Sequence, residues 1–139
     1  MKIYLDTNIV LFFLFKQEEL SIKVSNMLFD YSNILLTSTV CVDELIHLCQ
    51  IGKIGNNKKK PILSQRLLQH LEEAGIDIVS VNRRHLQQVA ELKLYDDHRD
   101  PNDRLIIAQA IADKTVLISS DRKFERYNNL GLHFIFNKR

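Results

Sequence analysis

The chain has 139 residues, 19 lysines and arginines against 17 aspartates and glutamates for a formal net charge of +2, and 45% hydrophobic residues. That length suits one domain over residues 1–139 with a core that needs no covalent staple. A charged fraction of 26% with only 4 glycines and 2 prolines excludes disordered, collagen-like and low-complexity chains, and +2 alone does not indicate nucleic acid.

Lys2 to Asp6 reads as a strand, and Thr7 to Phe15 as an apolar segment too dense for a surface helix and so buried beneath other elements. Its longest apolar run, Ile9 to Phe15, is far short of the roughly 20 residues that cross a bilayer. Asp6 and Asn8 interrupt what would be a signal peptide, so no membrane contact and a cytoplasmic location are expected. Glu18 to Asp30 carries Leu20, Val24, Met27 and Leu28 at helical spacing, and Asn33 to Ser38 is a second strand. Thr39 is the expected N-cap of a helix to about Ile51. Cys41 and Cys49 would lie about 12 Å apart along that helix at roughly 1.5 Å per residue, too far for a disulfide.

Gly52 to Pro61 reads as a loop, followed by a helix from Ile62 to about Ala74 closed by Gly75, and a third strand over Ile76 to Val81. Asn82 caps a helix to about Leu94, Asp96 to Asn102 is a polar connection, and Pro101 starts a helix to Asp113. Thr115 to Ser119 is a fourth strand, Asp121 to Tyr127 a short helix, and Leu132 to Phe136 a last, edge strand. Strands separated by helices without hairpin turns predict an α/β three-layer sandwich: a mostly parallel sheet of four to five strands with helices on both faces.

In such sheets ligands bind beyond the carboxyl ends of the strands. Asp6 ends the first strand and Ser119-Ser120-Asp121 the fourth, while Asp103 stands in the first turn of the helix that feeds the fourth. Glu44 lies one turn into the helix after the second strand, on a side shared with apolar Val40, Leu48 and Ile51. An unpaired carboxylate there is costly. Asp6 and Asp121 also suit helix capping, and Asp100-Pro101-Asn102-Asp103 is a sound helix start with Asp100 as its N-cap. Acids converging on one rim need a counter-charge, and hard oxygen donors without a His or Cys set suit Mg²⁺ or Mn²⁺. Such an ion activates water against a phosphodiester.

The segments MKIYLDTN (1–8), TVCVDE (39–44) with Gly52-Lys53 downstream, HRDPNDRLIIAQA (98–110) and LISSDRKF (117–124) resemble PIN-domain ribonucleases of the VapC toxin type, in order and over nearly the whole chain. The resemblance implies that Asp6, Glu44, Asp103 and Asp121 form the catalytic acidic site of a Mg²⁺- or Mn²⁺-dependent endoribonuclease. Thr7 or Asn8 would then orient the first acid, and Ser119 or Ser120 would donate at the fourth. It also implies a cognate antitoxin and a homodimer. The chain departs from relatives at Asn102, where an aromatic is frequent, and at Leu48, where many carry lysine.

His98 is expected to fix its loop, and the other histidines fall into no zinc spacing. Lys53, Lys58, Lys59 and Lys60 form the densest basic cluster, and with Arg122, which follows Asp121, they are the candidate RNA contacts. The alternative function is an RNA-binding or regulatory module that does not cleave.

Overall fold

The computed structural model describes residues 1–54 and 64–139. Its strands are β1 (Lys2–Leu5), β2 (Ile34–Ser38), β3 (Ile76–Val79), β4 (Val116–Ser119) and β5 (His133–Phe136). Its α-helices are α1 (Thr7–Phe15), α2 (Ile22–Leu28), α3 (Thr39–Gln50), α4 (Leu67–Glu73), α5 (Arg83–Glu91) and α6 (Pro101–Ala112). The strands form one sheet in the order β3-β2-β1-β4-β5, and every neighbouring pair is parallel. β1 is central because both of its faces are apolar: Ile3 and Leu5 point one way and Tyr4 the other, all at most 2% exposed.

Helices cover both faces, as the alternation of strand and helix predicts. On the side of Ile3 and Leu5 the core is built from Ile9, Val10, Phe12 and Phe13 of α1, Val24 and Leu28 of α2, Val42 and Leu45 of α3, and Leu67 and Leu71 of α4. On the side of Tyr4 it is built from Ile106, Ile107 and Ala110 of α6 with Phe124 and Tyr127. Cys41 belongs to this second cluster, whereas its helix neighbours Val42 and Leu45 belong to the first. Cys41 and Cys49 are both free thiols.

The chain leaves β1 for β2 on one side and reaches β4 on the other, so the strand order reverses between β1 and β4. That reversal opens a crevice at their carboxyl ends. Register places Leu5 beside Ile118, and the Asp6 N–H continues the ladder to the Ile118 carbonyl at 3.1 Å.

Three local expectations change. The N-cap of α3 is Ser38, whose hydroxyl accepts from the Val40 N–H at 3.1 Å, with Thr39 already inside the helix. The segment after Asp121 is a 3₁₀ helix over Arg122–Leu130, not a short helix ending at Tyr127. Residues three apart eclipse in that geometry, which stacks Phe124 and Tyr127 on the buried side. The helix before Gly75 begins as a 3₁₀ turn at Ser64–Arg66, and its expected start at Ile62 lies outside the described residues.

Candidate metal centre

Asp6 is the hinge between β1 and α1. One carboxylate oxygen, Oδ1, accepts from the Thr7 N–H at 2.8 Å as the N-cap of α1. The other, Oδ2, accepts from the Ser119 hydroxyl at 2.7 Å across the β1–β4 junction. Thr7 reaches a second acid: its hydroxyl donates to Glu44 Oε2 at 2.8 Å, tying the start of α1 to the second turn of α3. The Ser119 hydroxyl also accepts from the Asp121 N–H at 3.0 Å, which fixes the turn that carries the fourth acid.

α6 enters the same rim by its N-terminus. Asp100 caps it, accepting from the N–H groups of Asn102 and Asp103 at 2.9 and 3.0 Å. Asp103 stands one turn inside, 30% exposed at its side chain, with Oδ2 at 3.3 Å from His98 Nε2. His98, Asp103 and Asp121 each present one donor atom, all within 4.8 Å of one another. The His98 ring is held from the other side by Tyr127, 2.7 Å from Nδ1 to the phenol oxygen. Arg104 locks the base of α6 by donating to the carbonyls of Leu92 and Lys93.

Burial, and then the charges of Glu44 and Asp121, push Asp6 up to about 6 against the opposing bonds from Ser119 and Thr7. Burial, followed by the charges of Asp6, Asp100, Asp121 and Glu44, pushes Asp103 up to about 7. Burial also holds the His98 imidazole below its ordinary value, although Asp121 pulls the other way. Burial and, after it, the charges of neighbouring acids disfavour ionised carboxylates here, and a divalent cation is a group that relieves both. The donors are mostly carboxylate oxygens with one imidazole nitrogen beside them, a set that fits a divalent cation.

The family model of the PIN domain matches residues 3–130. The chain belongs to the PIN domain family. Among solved structures, this PIN domain is similar to a chain in the structure of VapBC2 from Rickettsia felis bound to a DNA fragment from their promoter, with 21% identity over 99% of this chain and 100% of that one and a TM-score of 0.71. It is similar to a chain of VapBC-1 from nontypeable Haemophilus influenzae at 19% identity, over 98% of each chain, with a TM-score of 0.68. A chain of DNA-bound VapBC from Salmonella typhimurium gives 20% identity, 98% of each chain and a TM-score of 0.68. These likenesses establish a shared fold. No curated protein matches the sequence.

Within the PIN domain, Asp6, Glu44, Asp103 and Asp121 meet at one rim, although they come from four separate elements. Of the residues expected to support them, Thr7 and Ser119 both lie in the cluster: Thr7 meets Asp6 through its N–H and adds Glu44 through its hydroxyl, whereas the partner of Ser119 differs from the one expected. Ser119 serves Asp6 rather than the Asp121 carboxylate, because β4 lies directly beside β1. Ser120 accepts from the Asn137 side chain at 2.8 Å and turns toward the carboxyl end of the chain. Asn8 is exposed, and among the described residues it makes no hydrogen bond to either carboxylate. Lys53 is exposed beyond α3, and Arg122 lies over the Phe136 ring at 4.3 Å. Lys58, Lys59 and Lys60 lie outside the described residues. Sequence reasoning kept His98 out of the site. The available signal was its place five residues before Asp103, across the cap that starts α6.

Proposed function

We propose that residues 1–139 form one PIN-like nuclease domain that hydrolyses RNA phosphodiester bonds with Mg²⁺ or Mn²⁺, as the toxin half of a toxin–antitoxin pair. The observation that carries this reading is that four acids gather at the strand-order reversal, Asp6 tied to Glu44 through Thr7 and Asp103 within 4.8 Å of Asp121 by their donor atoms. A protein without cation chemistry gains nothing from such a gathering. Asp6, Glu44, Asp103 and Asp121 would hold the ion, which when bound supplies an activated water and neutralises charge on the phosphoryl oxygens.

The chain's own residues prepare that step. Ser119 and the Thr7 N–H take one Asp6 oxygen each, so that the carboxylate cannot rotate. The Thr7 hydroxyl occupies Oε2 of Glu44 and fixes the side chain of that acid. The α6 cap presents Asp103 in the first turn. Lys53 and Arg122, with Lys58, Lys59 and Lys60 by their place in the sequence, would meet the RNA backbone, whose affinity then falls with salt.

The fold is shared with chains of VapBC structures, one of them described as a member of the VapBC family of toxin–antitoxin systems from Mycobacterium tuberculosis, at 17% identity and a TM-score of 0.59. That likeness supports an antitoxin partner; we propose further that the partner covers the acidic rim and that the chain forms a homodimer. Purified protein should cut RNA with Mg²⁺ or Mn²⁺ and lose cutting on Asp6→Asn with the fold intact. Equal cutting in EDTA rejects the metal mechanism. RNA binding without cleavage by wild type and Asp6→Asn alike favours a non-cleaving RNA-binding module.

A further inference from the structure

We propose that His98 supplies a nitrogen ligand to the cation of this site, forming with Asp103 and Asp121 a His–Asp–Asp corner that favours Mn²⁺ or another first-row transition ion over Mg²⁺. The inference rests on the reading of the acids as a metal centre and assigns that centre its selectivity.

The argument starts from two buried histidines. His85 is 0% exposed and satisfied at both nitrogens: Nδ1 accepts from the Asn82 N–H at 3.0 Å, and Nε2 meets Asp113 at 2.9 Å. That is a core histidine with a purely structural place. His98 is 5% exposed, yet only Nδ1 is satisfied, by Tyr127; Nε2 has no hydrogen-bond partner among the described residues. A buried polar atom left this way is costly unless something occupies the space in front of it.

What lies in front is the acidic cluster, with Asp103 Oδ2 at 3.3 Å and an Asp121 oxygen within 4.8 Å. Nε2 and Asp103 are near enough for a hydrogen bond but out of line for one. Two donors on one small ion, each about 2.1 Å from it, stand roughly 3.0 to 3.4 Å apart in octahedral to tetrahedral geometry. The His98–Asp103 separation falls in that range.

The ring is also aimed. Phe124 and Tyr127 pack edge-on against it at centroid distances of 5.6 and 5.4 Å. With Nδ1–H donating to the Tyr127 oxygen, the lone pair of Nε2 faces the carboxylates, the arrangement in which a ligating histidine gives its other N–H to an outer partner. Imidazole suits the later first-row ions best, and Mn²⁺, the weakest binder of that series, accepts it more readily than Mg²⁺, which prefers oxygen and retains its waters.

The test is metal binding without RNA. Titration calorimetry on the full chain should give wild-type protein a Mn²⁺ affinity about tenfold or more above that for Mg²⁺. His98→Gln, which puts an amide in place of the ring nitrogen, should reduce that ratio about tenfold, by weakening Mn²⁺ more than Mg²⁺. An unchanged ratio overturns the inference while leaving the metal centre standing. Absence of binding by wild type to either ion overturns the metal centre and the inference with it. Should His98→Gln fail to fold, nitrogen-15 NMR of wild-type histidines with Zn²⁺ as the probe decides. A metal-bound shift at His98 Nε2 supports the inference, and a His98 Nε2 whose resonance does not move with Zn²⁺ bound overturns it.

Discussion

The Thr7 hydroxyl donates to Glu44 Oε2 at 2.8 Å while the N–H of the same residue donates to Asp6 Oδ1 at 2.8 Å. One residue therefore orients acids that are 38 positions apart. Thr7→Val keeps the shape of the side chain and removes the hydroxyl. It should lower metal affinity and RNA cleavage by about 10–100-fold, and Thr7→Ser should restore most of both. Cleavage rates with calorimetric metal titration check this. An unaffected Thr7→Val would remove Glu44 orientation from the account.

The Ser119 hydroxyl lowers the proton affinity of Asp6, which burial and the neighbouring charges nonetheless hold up at about 6. Without that bond Asp6 rises further, and a cation must displace a more tightly held proton. Ser119→Ala should therefore move the acid limb of the cleavage profile to higher pH. The rate near pH 6 should fall by up to about tenfold, and the two proteins should converge in alkaline buffer. A pH–rate profile of both proteins is the measurement.

Asp6 and Asp103 bind protons more tightly in the folded metal-free chain, at about 6 and about 7 against the ordinary aspartate value of 3.8. Between about pH 4 and about pH 7 the folded state then holds more protons than the unfolded one. The stability from these groups is complete below about pH 4 and lost as pH rises through about 7. Melting curves without metal should show it, with added Mn²⁺ restoring more at about pH 8 than at about pH 5. Asp103→Asn should flatten the pH dependence and raise the metal-free Tm by about 3 °C at neutral pH.

A second polar cluster separates stability from chemistry. Asp113 at the far end of α6 accepts from the Tyr4 hydroxyl at 2.6 Å, from Arg84 at 2.6 Å and from His85 at 2.9 Å. Burial opposes its ionisation, yet the bonds from Tyr4, His85 and Arg84 hold its carboxyl below the ordinary range. Asp113→Ala leaves Tyr4 and His85 with buried polar atoms unpaired. It should cost about 1–3 kcal/mol in denaturant unfolding and leave cleavage by the folded fraction unchanged.

Much of the frame was legible because it depends on short-range signals. Asp100-Pro101 marked the start of α6, Asn82 that of α5, and the apolar runs marked central strands covered on both faces. Ser119 was read as a donor to its near neighbour Asp121, since nothing in a sequence says that β4 lies beside β1. The aim of His98 was hidden for the same reason: it is set by Tyr127, 29 residues on. The 3₁₀ helix was not read: Phe124, Tyr127 and Leu130 recur every three residues, a spacing that one face of a short α-helix also tolerates.

The account stands on carboxylates from four elements holding one divalent cation. A crystal soaked in Mn²⁺ and measured for anomalous scattering tests that before any RNA is chosen. The account predicts an anomalous peak enclosed by Asp6, Glu44, Asp103 and Asp121. A crystal with no peak at this rim, or with manganese bound only elsewhere on the surface, would contradict it.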